Sequence, residues 1–159
     1  MKPDEGTGRV TDSTVQISVD ALKLARDAYH RERVATQPLE KSIFTDQHRL
    51  VLEVSGFPRL IVPVHCDLIL GRSDNHSDYR PDIDMGPYGG HRMGVSRRHG
   101  VLRRVANEIY IADLDSRNGT MINEHRLPPH TLHMLRSEDI LALGTLRLRI
   151  YFVTVDELG

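Results

Sequence analysis

The sequence has no tryptophan and one cysteine, and aromatic residues are only 5% of its 159 positions. One thiol cannot close an internal disulfide, so the simple expectation is residence in the reducing cytoplasm, with the fold held by burial and hydrogen bonding. Cys66 follows a strand-like pattern and is expected to be packed rather than reactive. No apolar run approaches the roughly 20 residues that cross a bilayer, which argues against a helical membrane span. The opening Met1-Lys2-Pro3-Asp4-Glu5-Gly6 has no apolar core behind its basic start, unlike a signal peptide. A charge excess is lacking too: 21 Lys and Arg oppose 22 Asp and Glu, for a formal net charge of −1. A general nucleic-acid binder is expected to be clearly basic, so nucleic acid is set aside as a partner.

What is present divides the chain. Residues 1–17 are rich in Gly, Thr, Ser and Asp and read as a flexible tail. Val19, Leu22, Leu24, Ala25, Ala28 and Tyr29 then recur at helical spacing, with no Gly or Pro before Pro38 and Ser18 placed to cap. This predicts a helix over 18–36 within a helix-and-linker segment 18–46. Its apolar stripe should rest on the main domain or on a partner chain. From there the period becomes strand-like: 49–54, 60–64, 68–71, 100–105, 108–112, 140–143 and 146–153, with a hairpin at Leu143-Gly144-Thr145. Short strands with regular turn signals predict an all-β sandwich over 47–154, followed by a C-terminal tail at 155–159. Residues 72–95 are turn-rich and polar, with only Asp82-Ile83-Asp84 briefly extended. A loop of that length in a compact domain is usually functional or disordered.

Three clusters are not explained by packing: Gly71-Arg72, Ser96-Arg97-Arg98-His99, and Ser116-Arg117-Asn118-Gly119-Thr120 with Asn123 beyond. Each lies where a strand meets a loop, and sandwich loops gather at one end. Arginine forks pair with phosphate or carboxylate oxygens, serine and strand-end amides add directed donors, and an asparagine can pair with a passing peptide backbone. Together they suit a phosphorylated side chain on a peptide.

This ordered set over roughly residues 47–154 resembles the forkhead-associated (FHA) domain, a phosphothreonine-binding family. The resemblance implies a sandwich of two twisted sheets with about 11 strands, here preceded by one N-terminal α-helix, with peptide bound by loops at one end. It implies phosphate contacts for Arg72 and Ser96, a further phosphate or peptide contact for Arg97, a peptide main-chain contact for Asn118, and a place in the same loop for Arg117. Gly71, His99, Gly119, Thr120 and Asn123 match scaffold positions. Two departures stand out. The 73–95 loop is longer than in most members, around 73–81 and 86–94, and position 117 is often a small hydroxyl residue in the family.

The function implied is a phosphopeptide-binding module in signalling or regulation, not an enzyme, with no cofactor or metal. Its partners would be a phosphothreonine-containing protein, an upstream threonine kinase, and, as a further option, its own tail through Thr7, Thr11 or Thr14. The alternative is a phosphate-independent interaction or assembly module. Ser96, His99 and Asp113 could be imagined as a hydrolytic triad, but the Gly-x-Ser-x-Gly elbow is absent. The run from Asp113 to Gly119 fails the calcium-loop register, and His130 and His133 lack further ligands at metal spacing.

Overall fold

The computed structural model describes residues 19–33 and 39–159. Eleven strands form two sheets. The first has the order β2 (Leu60–Val62), β1 (His48–Glu53), β11 (Leu146–Thr154), β10 (Ile140–Leu143), β7 (Thr120–Ile122), β8 (His125–Arg126). The second has the order β4 (Ile83–Asp84), β3 (Leu68–Gly71), β5 (Gly100–Val105), β6 (Glu108–Asp113), β9 (His133–Leu135). All pairs are antiparallel except β3 with β4. The two-sheet sandwich expected from the sequence is the observed architecture.

Alternation places the core. In β11, Leu146, Leu148 and Ile150 point inward while Arg147 and Arg149 are exposed. Register sets Leu50 opposite Phe152 and Leu52 opposite Ile150, and Leu141 opposite Leu148. Leu70, Leu102, Ile109 and Ile111 of the second sheet complete this inter-sheet cluster. Each fully buried aliphatic side chain contributes about 1.5–3 kcal/mol. Phe44 belongs to the same core, edge-on to Phe152 at 5.1 Å, so the segment before residue 47 supplies packing as well as connection.

The outer face of the second sheet is also apolar. Ile69, Val101, Tyr110, Ala112, Leu132 and Met134 form a second cluster, and Leu22 and Ala25 of α1 (Val19–Arg33) pack against it. Of the predicted stripe, Leu22 and Ala25 thus rest on the domain itself while Leu24 is exposed, and Arg26 reaches Glu108 at 3.3 Å. The predicted cap Ser18, the helix end at 34–36 and the tail 1–17 lie outside the described residues. At the C-terminus, Val155–Leu158 forms a helical turn, α2, where a plain tail is the sequence expectation; the Thr154 amide donates to Glu157 at 2.8 Å. Cys66 is exposed in the turn between β2 and β3, which corrects the expectation that it packs. Its strand-like neighbours on either side belong to separate strands, and the turn between them faces solvent. Among the described residues no helix is long and apolar enough to cross a membrane.

The 73–95 loop is folded rather than open. Met85 is buried, and its amide donates to the Gly71 carbonyl at 2.7 Å. Asp84 accepts from the Ser73 amide at 2.9 Å, from Ser73 Oγ at 2.5 Å and from the Gly86 amide at 2.8 Å. Burial raises its pKa, but these hydrogen bonds outweigh it and hold the carboxyl below the usual carboxylate range. Gly86–Tyr88 makes a 3-10 turn, and the Thr145 amide donates to the Met93 carbonyl at 2.9 Å, which docks the loop on the β10–β11 turn.

Candidate functional site

Strands β3, β5, β6 and β7 all have an end at one pole of the sandwich, and the three clusters meet there. Close backbone approach begins at Gly71: a Cβ on it would lie 1.8 Å from the Arg97 carbonyl oxygen. Only glycine lets β3 pass the 96–98 segment, and the Arg72 amide then donates to that carbonyl at 3.3 Å. The Arg72 side chain crosses to the same segment, its Nε donating to the Val95 carbonyl at 2.7 Å.

His99 is wholly buried at the centre. Its Nδ1 accepts from the Ser96 amide at 3.0 Å, so the proton sits on Nε2, which donates to the Gly119 carbonyl at 2.9 Å. One imidazole therefore ties the second cluster to the third. Burial pushes its pKa below the ordinary histidine range, although the Gly119 carbonyl and the Asp113 charge pull the other way. Asp113 is buried too. It accepts from Ser116 Oγ at 2.5 Å, Thr120 Oγ1 at 2.6 Å and the Ser116 amide at 3.1 Å. Ser116 Oγ in turn accepts from the Gly119 amide at 3.0 Å. Asn123, at φ +48° in the β7–β8 turn, accepts the Ile140 amide at 2.9 Å and donates to Asp139 at 2.8 Å. Gly71, His99, Gly119, Thr120 and Asn123 thus all shape the loops.

Of the remaining residues, Arg72 and Ser96 are part-buried and Asn118 is exposed. Ser96 Oγ accepts the Arg117 amide at 3.1 Å, which leaves its hydroxyl proton to donate. Asn118 Nδ2 donates to the Gly94 carbonyl at 2.9 Å, leaving Oδ1 for a backbone amide. Arg97 and Arg117 are exposed. Arg72 Nη1 is buried and makes no hydrogen bond among the described residues; it lies 3.7 Å from Asp74 Oδ2, which is also 3.8 Å from Arg97 Nε. Asp74 was not singled out from the sequence, where nothing distinguishes it from the other loop acids. The same holds for Asp113 as a structural hub. The imagined triad is not assembled, because the Ser96 amide, not its hydroxyl, engages His99 and Asp113 stands on the Nε2 side at 3.9 Å. No group of three or more potential metal ligands occurs among the described residues.

The fold and this pole define a two-sheet sandwich presenting a cationic loop rim. The family model for the FHA domain matches residues 68–144, and the chain carries an FHA domain, a class of binding module that generally takes phosphothreonine and is not enzymatic. Protein FraH of Nostoc sp. (strain PCC 7120) is 39% identical over 64 residues, covering 40% of this chain and 22% of that one. The chain thus spans about a fifth of the length of that relative. The yeast splicing factor Pml1 superposes with a TM-score of 0.56 at 22% identity, covering 75% of this chain and 97% of that one. An FHA domain studied for phosphothreonine-dependent interactions superposes with a TM-score of 0.52 at 21% identity, covering 67% and 99%. At these identities the structural likeness is one of fold.

Proposed function

We propose that this rim reads phosphothreonine in a segment of another protein. The observation that carries the reading is the state of Arg72. Its Nε is fixed by the Val95 carbonyl and its Nη1 makes no hydrogen bond among the described residues, beside a serine whose hydroxyl proton is available. A buried guanidinium nitrogen without an acceptor is costly, and a phosphate of about −1.5 to −2 charge supplies acceptors. In this reading Arg72 and Ser96 hold the phosphate, Arg97 and Arg117 add charge at its edge, and Asn118 pairs with the peptide main chain. Asp74 stands against the two arginines and yields to the more highly charged ligand. A domain studied for phosphothreonine-dependent interactions shares this fold.

The partner would then be a protein modified by a threonine kinase, in signalling or regulation in the cytoplasm. Thr7, Thr11 and Thr14 are candidate sites in the chain itself, where a tether would raise the effective concentration. Preference for threonine over serine through one buried methyl amounts to about 0.8 kcal/mol, a few-fold in affinity.

Calorimetric titration with matched phosphothreonine, phosphoserine and unphosphorylated peptides from a degenerate library tests the proposal. Binding confined to the phosphorylated forms, strongest for phosphothreonine and weakened by salt, is expected. Equal binding of the phosphorylated and unphosphorylated peptides would instead support a phosphate-independent interaction module.

A further inference from the structure

Residues 93–95 carry three successive carbonyls, and each is taken by a different loop of the pole. The Met93 carbonyl accepts from the Thr145 amide at 2.9 Å and from Thr145 Oγ1 at 3.0 Å. The Gly94 carbonyl accepts from Asn118 Nδ2 at 2.9 Å. The Val95 carbonyl accepts from Arg72 Nε at 2.7 Å. This short run therefore meets the β10–β11 turn at its first carbonyl. At the next two it meets the side chains that would hold the peptide main chain and the phosphate.

The contacts leave little slack. Gly144 has φ +60°, and a Cβ on it would lie 2.6 Å from the Met93 carbonyl oxygen and 2.9 Å from that of Gly94. Gly94 has φ +80°, and a Cβ there would lie 2.5 Å from Asn118 Nδ2. The Gly144 amide donates to the Gly119 carbonyl at 3.0 Å, so the turn also grips the loop that carries Asn118. At Met93 both donors come from Thr145, and a carbonyl with two lone pairs is thereby satisfied by one residue.

We propose that Thr145 is a positioning residue for the rim. Through the Met93 carbonyl it sets residues 94–95, and through their carbonyls it sets the Asn118 amide and the Arg72 guanidinium. Asn118 then presents Oδ1, not Nδ2, to a peptide N–H, and the Arg72 fork is oriented before the phosphate arrives. A rotated amide would set donor against donor, and an unfixed guanidinium would have to be ordered on binding; both lower affinity. This inference rests on the phosphothreonine reading and adds to it a residue outside the three loop clusters.

Calorimetry with the tightest phosphothreonine peptide of the library tests the role. Thr145→Val keeps the backbone amide and the side-chain shape but removes the hydroxyl donor. It is expected to weaken binding roughly three- to fivefold, while Thr145→Ser, which keeps the donor, stays within about twofold of the wild type. The loss should shrink in the Asn118→Ala background, where the amide being positioned is gone, and persist in full alongside Arg117→Ala. In ¹⁵N spectra of the free protein, the Asn118 side-chain amide should shift in Thr145→Val and hold its place in Thr145→Ser. Wild-type affinity in Thr145→Val, a Thr145→Ser as weak as Thr145→Val, an undiminished loss alongside Asn118→Ala, or an unmoved Asn118 amide would each overturn the positioning role while leaving the phosphothreonine reading intact. Failure of the wild type to bind any phosphopeptide of the library would overturn both.

Discussion

The polar residues at the loop-bearing pole fall into two groups that differ in how well they are satisfied. Around His99 and Asp113, buried donors and acceptors meet partners within the chain. A few residues away, Arg72 keeps a buried nitrogen without a hydrogen bond among the described residues, and Ser96 and Asn118 keep a hydroxyl proton and an amide oxygen to offer. The first group spends its chemistry on holding loops in place. The second is positioned by that framework but left with bonding capacity, and that capacity marks the residues assigned to ligand. If the division is correct, substitutions in the first group should act on stability and those in the second on binding.

The largest effect is expected at Gly71. With a Cβ 1.8 Å from a backbone oxygen, Gly71→Ala must displace β3 or the 96–98 segment, and urea denaturation should show a loss of more than about 3 kcal/mol. A loss below about 0.5 kcal/mol would mean that the pole yields easily and does not hold the arginines rigidly. Next comes Arg72→Ala, which should weaken phosphopeptide binding by about 2–5 kcal/mol in calorimetry while the urea midpoint barely changes. Should Arg72→Ala unfold the domain as readily as Gly71→Ala, the two groups would not be separate.

A smaller effect concerns pH. His99 is held neutral in the fold by burial, with a lowered pKa. The unfolded chain takes up that proton first, as pH falls through about 6.5. This contribution to stability is complete above that pH and is lost below it, at most ~1.4 kcal/mol per pH unit until the folded pKa is passed. Urea midpoints measured from pH 8 to pH 5 should fall on the acid side, and His99→Gln should remove that share of the slope. The smallest effect is at Asp74, part-exposed between two arginines. Asp74→Asn should raise phosphopeptide affinity by about two- to fivefold at low salt, by removing a competing carboxylate.

Sequence legibility followed the length and regularity of the elements. β1, β5, β6 and β11 have six or more residues rich in leucine, isoleucine or valine, and they lie close to where the sequence predicts strands. β7, β8 and β9 have two or three residues each, and both residues of β8 are exposed, so no pattern announces them. The candidate site residues stand out in the sequence because their types and order are unusual for strand ends. What they touch does not: whether Asp113 meets Ser116 and Thr120, or Phe44 enters the core, depends on how distant segments are brought together. Arg98 stands in the same run as Ser96, but that Tyr79 comes to line a cleft with it depends on the fold.

Amide NMR of the uniformly ¹⁵N-labelled protein titrated with a phosphothreonine peptide tests the central claim most directly. The account predicts that the largest shifts fall together on the amides of Arg72, Ser96, Arg97, Arg117 and Asn118. It also predicts that residues at the opposite end of β5 and β6, under α1 around Val105 to Glu108, stay in place. Shifts centred on that far end, or the same shifts with the unphosphorylated peptide, would contradict it.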